Sequence, residues 1–306
     1  MSSANSILAI IDPTAKEQPA VARAAWLAEK LDVDLELFIC DYDQYLAGER
    51  FFDSAALKKA RAGLLERHTE RLNRLAKPLQ SRGIRVGVDT AWDHPLHEGI
   101  LRKIEKSAPS TVVKDTHYHS AIRRSVFSNT DWNLIRDCPA RLWLVKPHTR
   151  LEIRKLAAAV DPVHERDKPA SLDHKIIGTA RDLAELAGAE LDVIHAFDPA
   201  PVYAVSTDAM SFPIAEPINE VVAGLKAEHQ SAMDELVRQY GLSADHVHLV
   251  EGETREVLAG LVDELNSDLV VIGAVARGVL QRLVLGSTAE RVLDFMPCDL
   301  LIVKPD

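Results

Sequence analysis

Apolar positions along the chain fall into short unbroken runs that alternate with longer stretches of helical spacing. Ile7-Leu-Ala-Ile-Ile11 is one such run and ends in Asp12-Pro13; Leu156-Ala-Ala-Ala-Val160 is another and ends in Asp161-Pro162. In the second half the pattern predicts a strand over 155–160 and a helix over 172–187 that stops at Gly188. A strand over 191–196 follows, then a long amphipathic helix over 216–240 closed by Gly241. The remaining pattern predicts strand 246–250, helix 254–266, strand 268–272, helix 287–295 and strand 299–303. The first half repeats this order, with its long helix over 53–81. Val-, Leu- and Ile-rich strands separated by helices imply a parallel sheet covered on both faces. Five strands per half make a doubly wound α/β fold, whose ligands sit beyond the strand C-terminal ends.

The two halves are copies. Thr130, Pro139, Val145, Lys146 and Pro147 each match a residue 158 positions later, as do Val112-Val113 and Glu98. The two Asp-Pro pairs are 149 apart, so the second copy holds about nine extra residues, placed by composition in the Pro-rich stretch 198–217. Two domains are therefore expected, 1–149 and 150–306, in keeping with a length of 306 residues. The last strand of each half follows its helix directly and is expected at or near a sheet edge. The halves can pair there within one chain, giving a pseudo-two-fold monomer. A homodimer of whole chains is left open by the sequence.

Composition narrows the function classes. No apolar run approaches the ~18 residues that span a bilayer, and the N-terminus lacks a signal-peptide layout, so a cytoplasmic protein without membrane insertion is expected. A net charge of −10 supplies no global attraction for nucleic acid. The basic run 61–74 is interrupted by Glu66 and Glu70 and reads as a solvated helix face. Cys40, Cys138 and Cys298 have no metal-ligand spacing and read as reduced thiols.

Chemistry concentrates in one loop. After strand 268–272 comes Gly273-Ala-Val-Ala276-Arg277-Gly278-Val-Leu-Gln-Arg282-Leu-Val-Leu-Gly286-Ser287-Thr288, then a helix. Glycines let main-chain N–H groups approach phosphate oxygens, Ser287 or Thr288 opens a helix whose N-terminus favours anions, and Arg277 or Arg282 adds a cation. It is not a P-loop, for no Gly-Lys-Ser/Thr follows. On local chemistry alone, a strand end, a turn and a helix cap explain the same residues equally well. At the same offset the first copy reads Asp115-Thr-His117-Tyr-His119-Ser120 through Ser128-Asn129-Thr130, without a glycine. Asp115 would repel a phosphate there.

Histidines 94, 97, 117 and 119 lie in loops at the strand ends of the first half. A metal is one reading; exposed or capping side chains are the preferred one, because no cysteine or paired carboxylate completes the set. Trp92, Trp132 and Trp143 read as core or interface. Asp12 and Asp161 have the character of general bases, but no nucleophile motif accompanies them.

The glycine loop resembles the signature of the universal stress protein family: Gly, two residues, Gly, nine residues, Gly, then Ser or Thr. Gly273, Gly286 and Ser287 are in register, Gly278 matches a further glycine, and Ala276 stands where the second glycine is expected. Both Asp-Pro pairs, Thr130-Asp131-Trp132 and the terminal 298–305 extend the resemblance over the whole chain, which is similar to the family's two-domain E-type members. The resemblance implies tandem adenine nucleotide α-hydrolase-like domains, a stress-response role, and ATP or AMP held in the second. Asp161 is then near adenine and ribose, with Val160 and His195 lining the base pocket. Gly273, Ala276, Arg277, Gly278, Gly286, Ser287 and Thr288 are near the phosphates. Ala276 narrows the loop by a methyl, expected to weaken binding without abolishing it. No catalysis is implied. A sensor of an apolar ligand held by the 199–217 insertion, with Tyr203, Met210 and Phe212, and a slow ATP hydrolase are the alternatives.

Overall fold

The computed structural model describes residues 6–47, 55–116, 129–147, 150–163, 171–207, 217–274 and 296–305. Contacts divide the chain into two units, Met1–Leu151 and Glu152–Asp306.

The first unit runs β1 (Ser6–Ile10), α1 (Pro19–Leu31), β2 (Asp34–Asp41), α2 (Gln44–Ala47), α3 (Ala55–Ser81), β3 (Val86–Trp92), α4 (Leu96–Ser107), β4 (Thr111–Asp115), α5 (Asn129–Asp137) and β5 (Arg141–Val145). Its strands are parallel in the order β3-β2-β1-β4-β5. The second unit runs β6 (Lys155–Ala159), α6 (Ser171–Ala187), β7 (Glu190–Phe197), α7 (Ala200–Thr207), α8 (Ile218–Tyr240), a single 3₁₀ turn, β8 (Val247–Glu251), α9 (Thr254–Glu264), β9 (Leu269–Gly273) and β10 (Asp299–Val303). Its order, β8-β7-β6-β9-β10, repeats that of the first unit strand for strand. Both are doubly wound parallel sheets, and β5 and β10 each come last in their unit's order. The sheet interiors explain the apolar runs: β4 and β10 are buried from end to end, as strands covered on both faces must be.

Element ends differ from the predicted ones for local reasons. Helix α9 stops short of 266 because Asn266 adopts φ 53°, which breaks the helical repeat. Strand β8 begins at Val247 because Ala244–His246 is wound into the 3₁₀ turn. Gly188 and Gly241, at φ 68° and 63°, end α6 and α8 in the left-handed conformation that glycine adopts without steric cost. The insertion in the second half contains α7; its residues 208–216 lie outside the described residues, as does the predicted helix 287–295.

The three cysteines are buried free thiols. Trp143 is fully buried, with the Trp26 ring 6.3 Å away edge-on and the Arg23 guanidinium 5.4 Å from its centroid. Arg23 is itself 2% exposed and donates to the carbonyls of Arg150 and Leu151, tying the end of the first unit to α1. Trp92 is half-buried, its ring centroid 5.5 Å from that of Tyr42. The basic run on α3 is not merely a solvated face. Arg61 donates to the Leu46 and Ala47 carbonyls at the end of α2, and Arg71 to those of Pro13 and Ala15 in the loop after β1, so two arginines hold the segments that follow β2 and β1.

Candidate functional site

In each unit the winding direction reverses between the first and fourth strands of its chain order, and a doubly wound sheet opens a crevice there. In the second unit those strands are β6 and β9, paired with Ala159 opposite Ile272. Asp161 follows the C-terminal end of β6 and Gly273 ends β9. Two residues singled out far apart in sequence are thus brought to neighbouring strand ends at the switch point. Ala276, Arg277, Gly278, Gly286, Ser287 and Thr288 lie outside the described residues.

Gly273 is required there for packing. A Cβ built on it would meet Leu172 Cδ2 at 2.7 Å, Leu172 Cγ at 2.9 Å and Ile176 Cδ1 at 3.0 Å, all on α6. Its φ is not in the left-handed range. The glycine therefore serves a close approach of β9 to α6, in addition to any approach of ligand.

Asp161 is half-exposed, while Val160 and His195 lie in the interior at 6% and 3% exposure. The Asp161 N–H donates to Asp173 Oδ1 at 3.0 Å, and Asp173, in the first turn of α6, is 1% exposed. His195 Nδ1 lies 3.0 Å from the Val160 carbonyl oxygen, and its Nε2 lies 2.7 Å from Nδ1 of His229 on α8, a buried residue. His229 gave no sequence signal, since it sits alone on a helix whose other buried positions are apolar. A cavity of about 170 Å³ opens between α6 and α8, lined by Pro162, Asp173, His174, Leu236 and Gln239 among others.

The first unit fills the equivalent place with its own charges. Asp115, at the Gly273 position, is 3% exposed and accepts from the Ala20 N–H at 2.6 Å, so its carboxylate caps the first turn of α1. Lys114 pairs with the fully buried Asp131 at 2.7 Å and donates to the Asp115 carbonyl at 2.9 Å. Asp12 turns inward on its own loop, accepting from the Thr14 N–H and hydroxyl.

The histidine set of the first half is placed in part. His94 is exposed, its ring 4.3 Å from that of Tyr42 and tilted to it by 45°; His97 is not in a loop but in the first turn of α4, half-buried; His117 and His119 lie outside the described residues. Among the described residues no group of three His, Cys, Asp or Glu side chains is placed to hold a metal. His246 and His248 both approach the buried Asp192 carboxylate, at 3.2 and 2.9 Å. No helix among the described residues is long and apolar enough to cross a membrane.

Tandem doubly wound parallel units, each with an acidic residue after its first strand beside the switch point, define a class of two-unit α/β protein. Family-level comparison narrows the class: the model of the universal stress protein family matches residues 4–146 and again 154–304, and the chain belongs to that family. Universal stress protein E of Escherichia coli K12 is 28% identical over 309 residues, covering 100% of this chain and 96% of that protein. The crystal structure of the functionally unknown protein PA1789 from Pseudomonas aeruginosa PAO1 is similar at 28% identity and TM-score 0.74, covering 99% of this chain and 93% of that one. A universal stress protein from Archaeoglobus fulgidus, 17% identical, shares the fold at TM-score 0.67, with 98% of each chain covered.

Proposed function

We propose that this universal stress protein binds an adenine nucleotide, ATP or AMP, in its second unit, and that its first unit is a scaffold. The observation that carries this reading is the convergence of Asp161 and Gly273 at the ends of the adjacent strands β6 and β9. Gly273 opens the loop whose sequence continues through Gly278 to Gly286-Ser287-Thr288, so a ligand whose base reaches Asp161 has its phosphates directed toward that loop. In the first unit the same position holds the Asp115 carboxylate, whose charge opposes a phosphate. Binding, without turnover, suits a sequence in which no nucleophile motif accompanies Asp161.

Titration of the full chain with labelled ATP and AMP tests this reading, with Gly286→Asp and Asp161→Ala as controls. Saturable binding at one nucleotide per chain, lost in Gly286→Asp and weakened in Asp161→Ala, is expected. Absence of binding, or binding indifferent to both changes, overturns it.

A further inference from the structure

We propose that His195 and His229 are positioning residues of the Asp161 site, acting as a two-imidazole chain that fixes the Val160–Asp161 peptide. The proposal rests on the nucleotide reading for its consequence, though not for its geometry.

The peptide linking Val160 to Asp161 is gripped on both of its polar atoms by buried side chains. Its N–H donates to Asp173 Oδ1 at 3.0 Å, and its carbonyl oxygen faces His195 Nδ1 at 3.0 Å. A carbonyl only accepts, so His195 carries its proton on Nδ1. In a neutral imidazole the other nitrogen is then an acceptor. His195 Nε2 lies 2.7 Å from His229 Nδ1, and that contact is a hydrogen bond only if His229 donates from Nδ1. The chain therefore has one direction: His229 Nδ1–H to His195 Nε2, and His195 Nδ1–H to the Val160 carbonyl. Both imidazoles are in the Nδ1–H form, and each holds the other's tautomer. Phe197, with its ring 5.3 Å from that of His229, packs beside the pair.

The first unit supports this by analogy of position. Gly83 and Gly241 terminate the equivalent long helices, 158 residues apart, and at the same offset His229 corresponds to Arg71. Arg71 reaches directly to the loop after β1, donating to the Pro13 and Ala15 carbonyls. The same helix position thus holds the segment after the first strand in both units. In the first unit one long arginine spans the gap; in the second, where Ile39 is replaced by His195, two short imidazoles span it in series. Asp161 follows the held carbonyl directly, so its position after the end of β6 depends on the chain.

Nitrogen-15 NMR of the histidine rings in the full chain, recorded near pH ~8 where free imidazole is neutral, reads the tautomers without ligand. His195 and His229 are expected in the Nδ1–H form, assigned by their loss in single variants. An Nε2–H signal for either overturns the proposal. The consequence is read by ATP titration. His229→Phe removes the donor and is expected to weaken binding about tenfold, roughly the worth of one well-placed hydrogen bond. His229→Asn keeps a donor near the Nδ1 position and is expected to stay within about threefold of the wild type. Equal affinities for the Phe and Asn variants, with unchanged circular dichroism, overturn the positioning role. If the wild type binds neither ATP nor AMP, the nucleotide reading is what fails, and the tautomers alone decide the histidine chain.

Discussion

Replacing Gly273 by alanine adds one methyl at the end of β9, against Leu172 Cδ2 at 2.7 Å and Ile176 Cδ1 at 3.0 Å. Real Cβ atoms do not approach that closely, so α6 must shift or Leu172, 0% exposed and close-packed, must leave its rotamer. Overpacking of this kind costs about 1–3 kcal/mol. Against it stands the smaller unfolded-state entropy of alanine, which favours the variant by ~0.4–1 kcal/mol where φ is ordinary, as here. The net expectation is a loss of about 1–2 kcal/mol. In a Leu172→Ala background the two shortest contacts are gone, only Ile176 Cδ1 at 3.0 Å remains, and the same change is expected to be close to neutral, although Leu172→Ala alone costs about 2–5 kcal/mol. The assay is urea unfolding followed by circular dichroism. Tryptophan fluorescence is recorded alongside, since Trp26, Trp92, Trp132 and Trp143 are all in the first unit and mark its transition separately. A Gly273→Ala protein as stable as the wild type with Leu172 in place would refute the packing role and leave that glycine to the ligand alone.

Other expectations follow from the first unit. Lys114→Met removes the ion-pair partner of the fully buried Asp131 carboxylate and is expected to cost ~3–5 kcal/mol in the fluorescence-detected transition, while Lys114→Met/Asp131→Leu recovers most of it. Asp115→Ala removes the carboxylate that accepts from Ala20 N–H and is expected to cost about 1–2 kcal/mol by the same measurement; a neutral result would show the cap to be inert. Burial, with the nearby Asp93 and Asp41 charges, pushes the Cys40 thiol up from 9.0 to about 12. The unfolded chain then releases a proton that the fold retains, so stability falls as pH rises from 9.0 to about 12, by as much as ~1.4 kcal/mol per unit. Comparing alkaline unfolding of wild type and Cys40→Ala isolates that slope, and parallel curves would contradict it.

What could be read along the chain was local or repeated. Strand and helix alternation follows from the spacing of apolar residues, and helix ends from Gly188 and Gly241, because a left-handed residue is a property of a few neighbouring positions. The tandem copy was visible because 158-residue self-similarity needs no coordinates. Asp161 and Gly273 could be singled out as residues, but their adjacency depends on β6 and β9 being neighbours. That is a matter of strand order, set by which helices pack on which face. Arg71 looked like one more charge on a polar helix until the loop after β1 was seen to supply its acceptors.

His195 marks the boundary most clearly. Its place near the end of a predicted strand suggested a side chain facing ligand, since alternation along a strand tells that successive residues face opposite ways but not what each face meets. The fold turns it inward to His229, a residue 34 positions away on another element. Pattern and punctuation along the chain were enough for two doubly wound units and for a glycine loop kept in one of them, because these rest on nearest neighbours and on repetition. Which buried polar groups find each other was a tertiary matter, because a hydrogen bond between α8 and β7 exists only once both are packed against the same sheet.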